Sequence, residues 1–529
     1  MFRGKRRVAA LVGVAALLLA GVTNAVGAPD EQSGGGPRFG DWSSWQGDKA
    51  GSRYAASEHR INTRTASKLK LKWAFAYPKT GFPAKSQPAV VDGGIFFGSP
   101  DGKFYALDAK TGAQKWSFDL ATVNRGSVVI DGPAVARGKV YFGDNQGFVY
   151  ALEQRTGKVV WARDTEPHAA GMHTSSPVYH DGHIFIGASS GENITPDRNY
   201  PCCTFRGHVD SLDAETGELT WRYYTVPEPK KVGTWPSGAD KFEPSGAGVW
   251  SSPIVDERSN TLYVGVGQLY SGTVGDFDSL LALNTRTGAV RWKQQVTKAD
   301  TWRLLCGFPD NDGYCPGQKE GTALDYDIGA TPTMFTVKGK QYVGVGQKSG
   351  VFHTFDARTG EVLWRRQLSN PMPGGGLSGI QWGSSFDGKN LYMATNMANP
   401  GTLFALNPAN GDVVWSTPSP ADGCTKGGAA QYPTVCQRSH TPAVSTSPGL
   451  VYEGSVDGKM RVYDSKTGAV LWEFDTIQDF PGVNGLTGHG SAISGNGGAV
   501  ISDGVLYIQS GYWPSYPSEH GNVLLAFGL

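Results

Sequence analysis

One phrase, a tight turn followed at a fixed distance by tryptophan, is written seven times along this chain and constrains its fold more than any other feature. Its clearest copy spans residues 106–116: Ala106-Leu107-Asp108, the turn Ala109-Lys110-Thr111-Gly112, and Trp116 as the closing residue. Six further copies end at Trp161, Trp221, Trp292, Trp364, Trp415 and Trp472. In every copy the Trp follows the Gly by four positions, counting from Gly112, Gly157, Gly217, Gly288, Gly360, Gly411 and Gly468. A spacing held this often marks an internal structural repeat.

Each copy reads as a β-hairpin. Residues 104–108 alternate as a strand, 109–112 turn, and 113–118 lead back out. Thr supplies a hydroxyl for the turn backbone, and Gly can take positive φ at no steric cost. A second hairpin precedes each phrase, as in residues 88–98. Four short antiparallel strands per unit, recurring at roughly 45 to 70 residues, describe propeller blades with loops of varied length. The recurring Trp is large and flat with one donor. It is expected to wedge between neighbouring blades and anchor its indole N–H, so all seven read as structural. Lys70-Leu71-Lys72-Trp73 near the start looks like the last strand of a blade, and residues 521–529 supply an apolar strand with no turn or Trp after it. Joined, the two ends complete an eighth blade and hide both sheet edges. The expected fold is therefore all-β, an eight-bladed propeller over residues 39–529, closed by the terminal strands.

Before that domain, residues 1–25 read as a secretory signal. Arg3, Lys5, Arg6 and Arg7 precede an apolar run from Val8 to Val22 and a small-x-Ala step at Thr23-Asn24-Ala25. Residues 26–38 read as a flexible segment. The expected product is exported and soluble. A formal net charge of +1 gives no electrostatic case for nucleic acid or an anionic membrane. Six cysteines in an exported chain invite disulfides. Sequence proximity favours Cys202 with Cys203, Cys306 with Cys315, and Cys424 with Cys436, although six cysteines allow many other connectivities. No Cys-x-x-Cys-His occurs, so the chain attaches no c-type haem, and zinc-ligand spacing is missing.

In a propeller the innermost strands begin near one mouth of the central channel. Residues just before the recurring Ser/Thr/Ala-Pro steps should face a common hollow: Gln87, Thr174, Trp250, Asp327, Gln381 with Trp382, Thr441 and His489. That set is aromatic and amide-rich, suited to a flat ligand with polar edges. It would equally suit a channel plugged by its own side chains.

The repeat, the opening (Asp41-Trp42, Gly51-Ser52-Arg53-Tyr54, Ile61-Asn62) and the block Tyr200-Pro201-Cys202-Cys203-Thr204-Phe205-Arg206-Gly207 resemble the pyrroloquinoline quinone (PQQ) dehydrogenases, in particular their polyvinyl alcohol dehydrogenase-like branch. The resemblance implies a dehydrogenase that oxidises an alcohol to an aldehyde or ketone and passes electrons to a separate carrier such as a cytochrome c. It implies PQQ as cofactor, with calcium on the quinone. Thr174 matches the cofactor-bonding threonine, Trp250 the tryptophan on which the quinone stacks, and Gln381-Trp382 the pair closing the pocket. Lys348 matches the cation at the quinone oxygens, and Arg206 an arginine for a PQQ carboxylate. Glu192 matches the calcium-ligating glutamate, an oxygen donor of the type calcium takes. Cys202 and Cys203 match a vicinal disulfide that roofs the cofactor.

Two positions depart from the family pattern. Gln268 stands where relatives carry Asn or Asp, leaving an amide oxygen on a longer arm as the second metal ligand. The family's catalytic base is the second Asp of an Asp-x-Trp-Asp segment, yet Asp300-Thr301-Trp302 is followed by Arg303. Arginine is no base at neutral pH. Proton removal must then fall to another carboxylate, with Asp327 and Asp300 as candidates. The same departures would suit a non-catalytic binding or scaffold propeller, or a quinoprotein acting on a secondary metabolite. Asp310-Asn311-Asp312-Gly313 reads as a plain turn rather than a calcium loop.

Overall fold

The computed structural model describes residues 40–308, 311, 313–371, 378–396, 400–493, 495, 497–512 and 520–529. The segments expected as signal peptide and flexible leader, and Asp310 and Asp312 of the 310–313 turn, lie outside the described residues. Among those described there is no α-helix, and no helix long and apolar enough to cross a membrane.

Eight four-stranded antiparallel sheets carry the fold among the described residues, and the sheet of blade three has a further two-residue strand at Gly171–Met172. In the first blade the strands run Ala89–Val91, Gly94–Gly98, Lys103–Asp108 and Gln114–Asp119, from the inside outwards. The innermost strands touch their neighbours in cyclic order, and the last, Val500–Ser502, meets the first, Ala89–Val91, which closes the ring. The closing blade is made from both ends of the chain. Lys70–Ala76 is its outermost strand and pairs antiparallel with Val523–Gly528, from Lys70 opposite Gly528 to Ala76 opposite Val523. The expected eight-bladed propeller, closed by its termini, is the fold observed.

The repeated phrase is the joint between blades. Asp108 Oδ1 accepts the N–H groups of Lys110 and Thr111 and the Thr111 hydroxyl, which locks the turn. Gly112, at φ +71°, lies flat against the ring of Trp73 from the preceding blade, where a Cβ would approach to 2.7 Å. The indole N–H of Trp73 then bonds the Ala109 carbonyl of that same turn, at 3.3 Å. The arrangement repeats around the ring. Trp116 bonds Gln154, Trp161 Ala214, Trp221 Thr285, Trp292 Ala357, Trp364 Pro408, Trp415 Ser465 and Trp472 Leu69, all at carbonyl oxygens. Thr-Gly and Trp recur together because each turn seats the Trp of the blade before it.

One mouth of the channel is laced by residues 42–55. This segment pairs with Val90, Val135, Val255, Met334, Phe386 and Thr446, on six of the eight inner strands. Arg53, fully buried, anchors it: its guanidinium bonds Gln87 Oε1, Ser445 Oγ and the carbonyls of Val444 and Trp45, and it lies 4.6 Å from the Trp45 ring centroid. The opening motif quoted above is thus a plug.

Candidate active site

Opposite demands on one lysine organise the site. Lys348, in the turn after strand Lys340–Gly346, is buried, and its ammonium lies 2.8 Å from Asp325 and 2.5 Å from Asp327. Burial alone would lower its pKa, but the two carboxylates outweigh burial and hold it above its ordinary value, so it is a permanent cation. The same ammonium sits 5.4 Å from the ring centroid of Trp250. Trp250 and Trp382 meet edge to face, with centroids 5.2 Å apart and planes at 74°, and both are only partly buried. Gly329 packs flush on one face of Trp250 with no room for a Cβ. The result is an aromatic corner with a cation at its rim.

Asp327 is fixed by the Gln268 backbone N–H at 2.7 Å, and the Gln268 amide, oriented to donate, reaches its Oδ2 at 2.9 Å. Asp325 takes φ +59°, a left-handed conformation that a non-glycine residue holds only under constraint. That constraint is Asp300. Its carboxylate accepts the N–H groups of Leu324, Asp325 and Tyr326 at 3.1, 3.0 and 2.6 Å. Burial pushes Asp300 up to about 6, against the lowering effect of those three bonds.

The vicinal disulfide expected as a roof packs among buried side chains: Cys202, Cys203, Phe205, Trp235, Tyr270 and Leu305. The disulfides pair Cys202–Cys203, Cys306–Cys315 and Cys424–Cys436, as nearness in sequence favoured. Trp235 donates its indole N–H to the Cys202 carbonyl at 2.8 Å, and Tyr270 stacks on Phe205. Burial raises the Tyr270 phenol well above its usual value, and the charges of Asp327 and Glu192 raise it further; this tyrosine joins the roof to the lysine cluster. Glu192 is almost fully buried. Its oxygens take the N–H groups of Thr204 (2.8 and 3.0 Å) and Phe205 (2.9 Å), so it holds the disulfide loop in place.

The residues expected at the site thus divide. Trp250, Trp382, Lys348, Asp327 and Gln268 come together. Gln381 is buried beside them in sequence and accepts from Asn396 at 2.7 Å. The Thr174 hydroxyl meets Ser189 Oγ at 2.7 Å. Cys202, Cys203 and Glu192 form the roof. Arg206 turns its guanidinium to the Tyr224 ring, 3.6 Å from the centroid, and to the Val226 carbonyl. Of the wider set expected to face the hollow, Gln87 is instead consumed by the plug, bonding Arg53, Gly498 N–H and the Trp45 carbonyl, and His489 bonds Asp479 on a partly exposed hairpin. Asp325 was not among the sequence candidates. Its signal was available: Asp325-Tyr326-Asp327 places two carboxylates around an aromatic residue, just ahead of the Ala330-Thr331-Pro332 step.

Comparisons with known proteins give the chain's family and fold. Residues 42–304 match the family model described as glucose/ethanol/alcohol dehydrogenase, beta-propeller domain, and residues 347–512 match that of an outer membrane protein assembly factor. A polyvinylalcohol dehydrogenase from Pseudomonas sp. is 33% identical over 511 residues, covering 92% of this chain and 77% of the relative. The chain belongs to the PQQ-dependent alcohol dehydrogenases. A second polyvinylalcohol dehydrogenase, from Sphingopyxis sp. (strain 113P3), is 33% identical over 516 residues, covering 92% of this chain and 76% of the relative. Among solved structures, a quinohemoprotein alcohol dehydrogenase from Pseudomonas putida HK5 shares the fold, with a TM-score of 0.68 at 21% identity over 93% of this chain and 80% of that one.

The aromatic corner with a fixed cation fits PQQ, a flat anionic tricycle: the face offers stacking and Lys348 offers charge. Calcium fits less well in the arrangement seen. Glu192 is engaged by N–H donors of the disulfide loop, and Gln268 donates to Asp327.

Proposed function

We propose that this chain is a PQQ-dependent dehydrogenase that oxidises secondary or polymeric alcohols and delivers electrons to a separate carrier such as a cytochrome c. The observation that carries this reading is Lys348, clamped between Asp325 and Asp327 at the rim of the Trp250–Trp382 corner. Trp250 would hold the cofactor by its face, Trp382 would limit its slide, and Lys348 would bond its oxygens. Bound there, PQQ supplies the two-electron acceptor for a hydride from the alcohol carbon. The protein does the rest. Asp327 or Asp325, released in part from Lys348, accepts the alcohol O–H proton as the C–H bond gives up its electron pair. Lys348, a buried cation at the rim of the corner, would stabilise negative charge developing beside it.

The family membership and the match to two polyvinylalcohol dehydrogenases support the substrate class. Export after removal of residues 1–25 belongs to the same proposal. The test is reconstitution of purified protein with PQQ, with calcium or with chelator, followed by dye reduction against primary alcohols, secondary alcohols and polyvinyl alcohol. Turnover of secondary or polymeric alcohols is expected. PQQ binding with no turnover of any alcohol would overturn the substrate assignment, and no PQQ binding would leave a scaffold propeller.

A further inference from the structure

Asp278 is the oddest carboxyl in the molecule. It lies on the turn before strand Ser279–Asn284, is wholly buried, and neither of its oxygens meets a hydrogen-bond donor. What its carboxyl faces is Asp300, another acceptor. Two carboxylates cannot bond each other; the contact becomes a hydrogen bond only when one of them carries a proton. Two bare charges buried together would cost several kcal/mol, so the pair retains one proton. Burial, then the charges of Asp300, Asp327 and Asp325, all raise Asp278 well above the carboxylate range. Lys348 is spent on Asp325 and Asp327, and Asp327 and Tyr326 also lie within electrostatic reach of Asp300.

Asp300 meanwhile uses its oxygens on the backbone of the segment that presents Asp325 and Asp327. We propose that Asp300 is a positioning residue for the proton-accepting segment, clamping residues 324–326 while it shares one proton with Asp278. Resting on the dehydrogenase reading, this deepens it by separating two jobs: Asp325 and Asp327 meet the substrate, and Asp300 holds them in register. The shared proton keeps the clamp from carrying a second full charge next to the first two carboxylates. Asp325, at φ +59°, would relax if the clamp opened.

Two variants test the clamp. Asp278→Asn gives Asp300 a permanent N–H donor and removes the shared proton. In wild-type apoprotein the pair's raised folded pKa values make stability complete below about pH 4 and lost progressively as pH rises through about 6. Thermal unfolding of the Asp278→Asn apoprotein should decline less steeply over that window than wild type, the share due to Glu166, which burial pushes up to about 7, remaining in both; an unchanged slope would overturn the shared proton. Asp300→Asn weakens the clamp. With PQQ loaded, kcat should fall about 10- to 100-fold, while KM for the alcohol and PQQ affinity by tryptophan quenching stay close to wild type. A wild-type kcat, or a loss confined to KM, would overturn the positioning role. If the wild-type holoenzyme oxidises no alcohol, the dehydrogenase reading fails, and the apoprotein slope still judges the shared proton by itself.

Discussion

Lys348 and its two aspartates show how a single residue can serve both stability and chemistry. Replacing Lys348 with Ala leaves Asp325 and Asp327 buried without their counter-ion, and the variant should lose about 3 to 5 kcal/mol in urea unfolding. A loss below about 1 kcal/mol, the range of an exposed ion pair, would mean the carboxylates are solvated. A second titratable site lies outside the aromatic corner. Glu166 is buried against His208, with its Oε2 3.5 Å from His208 Nε2, and His168, Asp210 and Arg222 complete its surroundings. Burial pushes Glu166 up to about 7. Its folded pKa lies above its unfolded value, so its contribution to stability is whole below about pH 4 and is lost as pH rises through about 7. The change in melting temperature from about pH 4 to about pH 7 should therefore be more negative in wild type than in Glu166→Gln, while the buried His208, His353 and His440, held below their ordinary values by burial, act in the opposite sense in both proteins. Equal slopes in the two proteins would contradict this. Sequence patterns did not reveal either arrangement. Asp325 and Asp278 owe their roles to neighbours 23 and 22 positions away in Lys348 and Asp300, distances along the chain that no local pattern encodes.

The hairpin joint is the element on which the fold depends, and it was legible because its parts are local. Asp108, Thr111, Gly112 and Trp116 recur at fixed spacing since turn and indole are built from one short stretch, although each indole docks on the next blade. Substituting Trp292 by Phe keeps a ring but removes the indole N–H bond to the Ala357 carbonyl, which still accepts the Tyr263 hydroxyl at 2.9 Å; about 0.5 to 1.5 kcal/mol should be lost. Gly360→Ala should cost about 1 to 3 kcal/mol, because its Cβ would enter at 2.7 Å from the Trp292 ring at φ +73°. Chemical denaturation of both variants measures this, and near-neutral values would remove the joint from the account. Loops between hairpins were less legible. The Cys202–Cys203 stretch was recognisable, yet its seat on Glu192 through the Thr204 and Phe205 N–H groups depends on a turn twelve residues upstream. For the same reason nothing local to Gln87, expected just ahead of an inner strand to face the hollow, foretold that Arg53 of the plug would claim it.

At the scale of the whole molecule, closure by the strand pair Lys70–Ala76 and Val523–Gly528 makes stability depend on both ends at once. Removing residues 523–529 exposes the edges of two strands and unseats Trp472, which packs on Phe527 with centroids 5.2 Å apart. The truncated protein should unfold at much lower temperature and aggregate in size-exclusion chromatography; a monomeric protein with unchanged melting would refute closure by the termini. The ring also explains how the site is assembled. Trp250, Asp327 with Lys348, and Trp382 come from three consecutive blades, whose innermost strands are Ile254–Asp256, Thr333–Val337 and Ser385–Phe386, beside the hollow expected along the ring axis. The account turns on that hollow holding a quinone against Trp250. Titrating PQQ into purified wild-type protein and into Trp250→Ala, by calorimetry, tests it most directly. Saturable one-to-one binding in the wild type, weakened at least about tenfold in the variant by loss of the stacked face, is the predicted result. No binding to the wild type, or equal affinity in the two proteins, would contradict it.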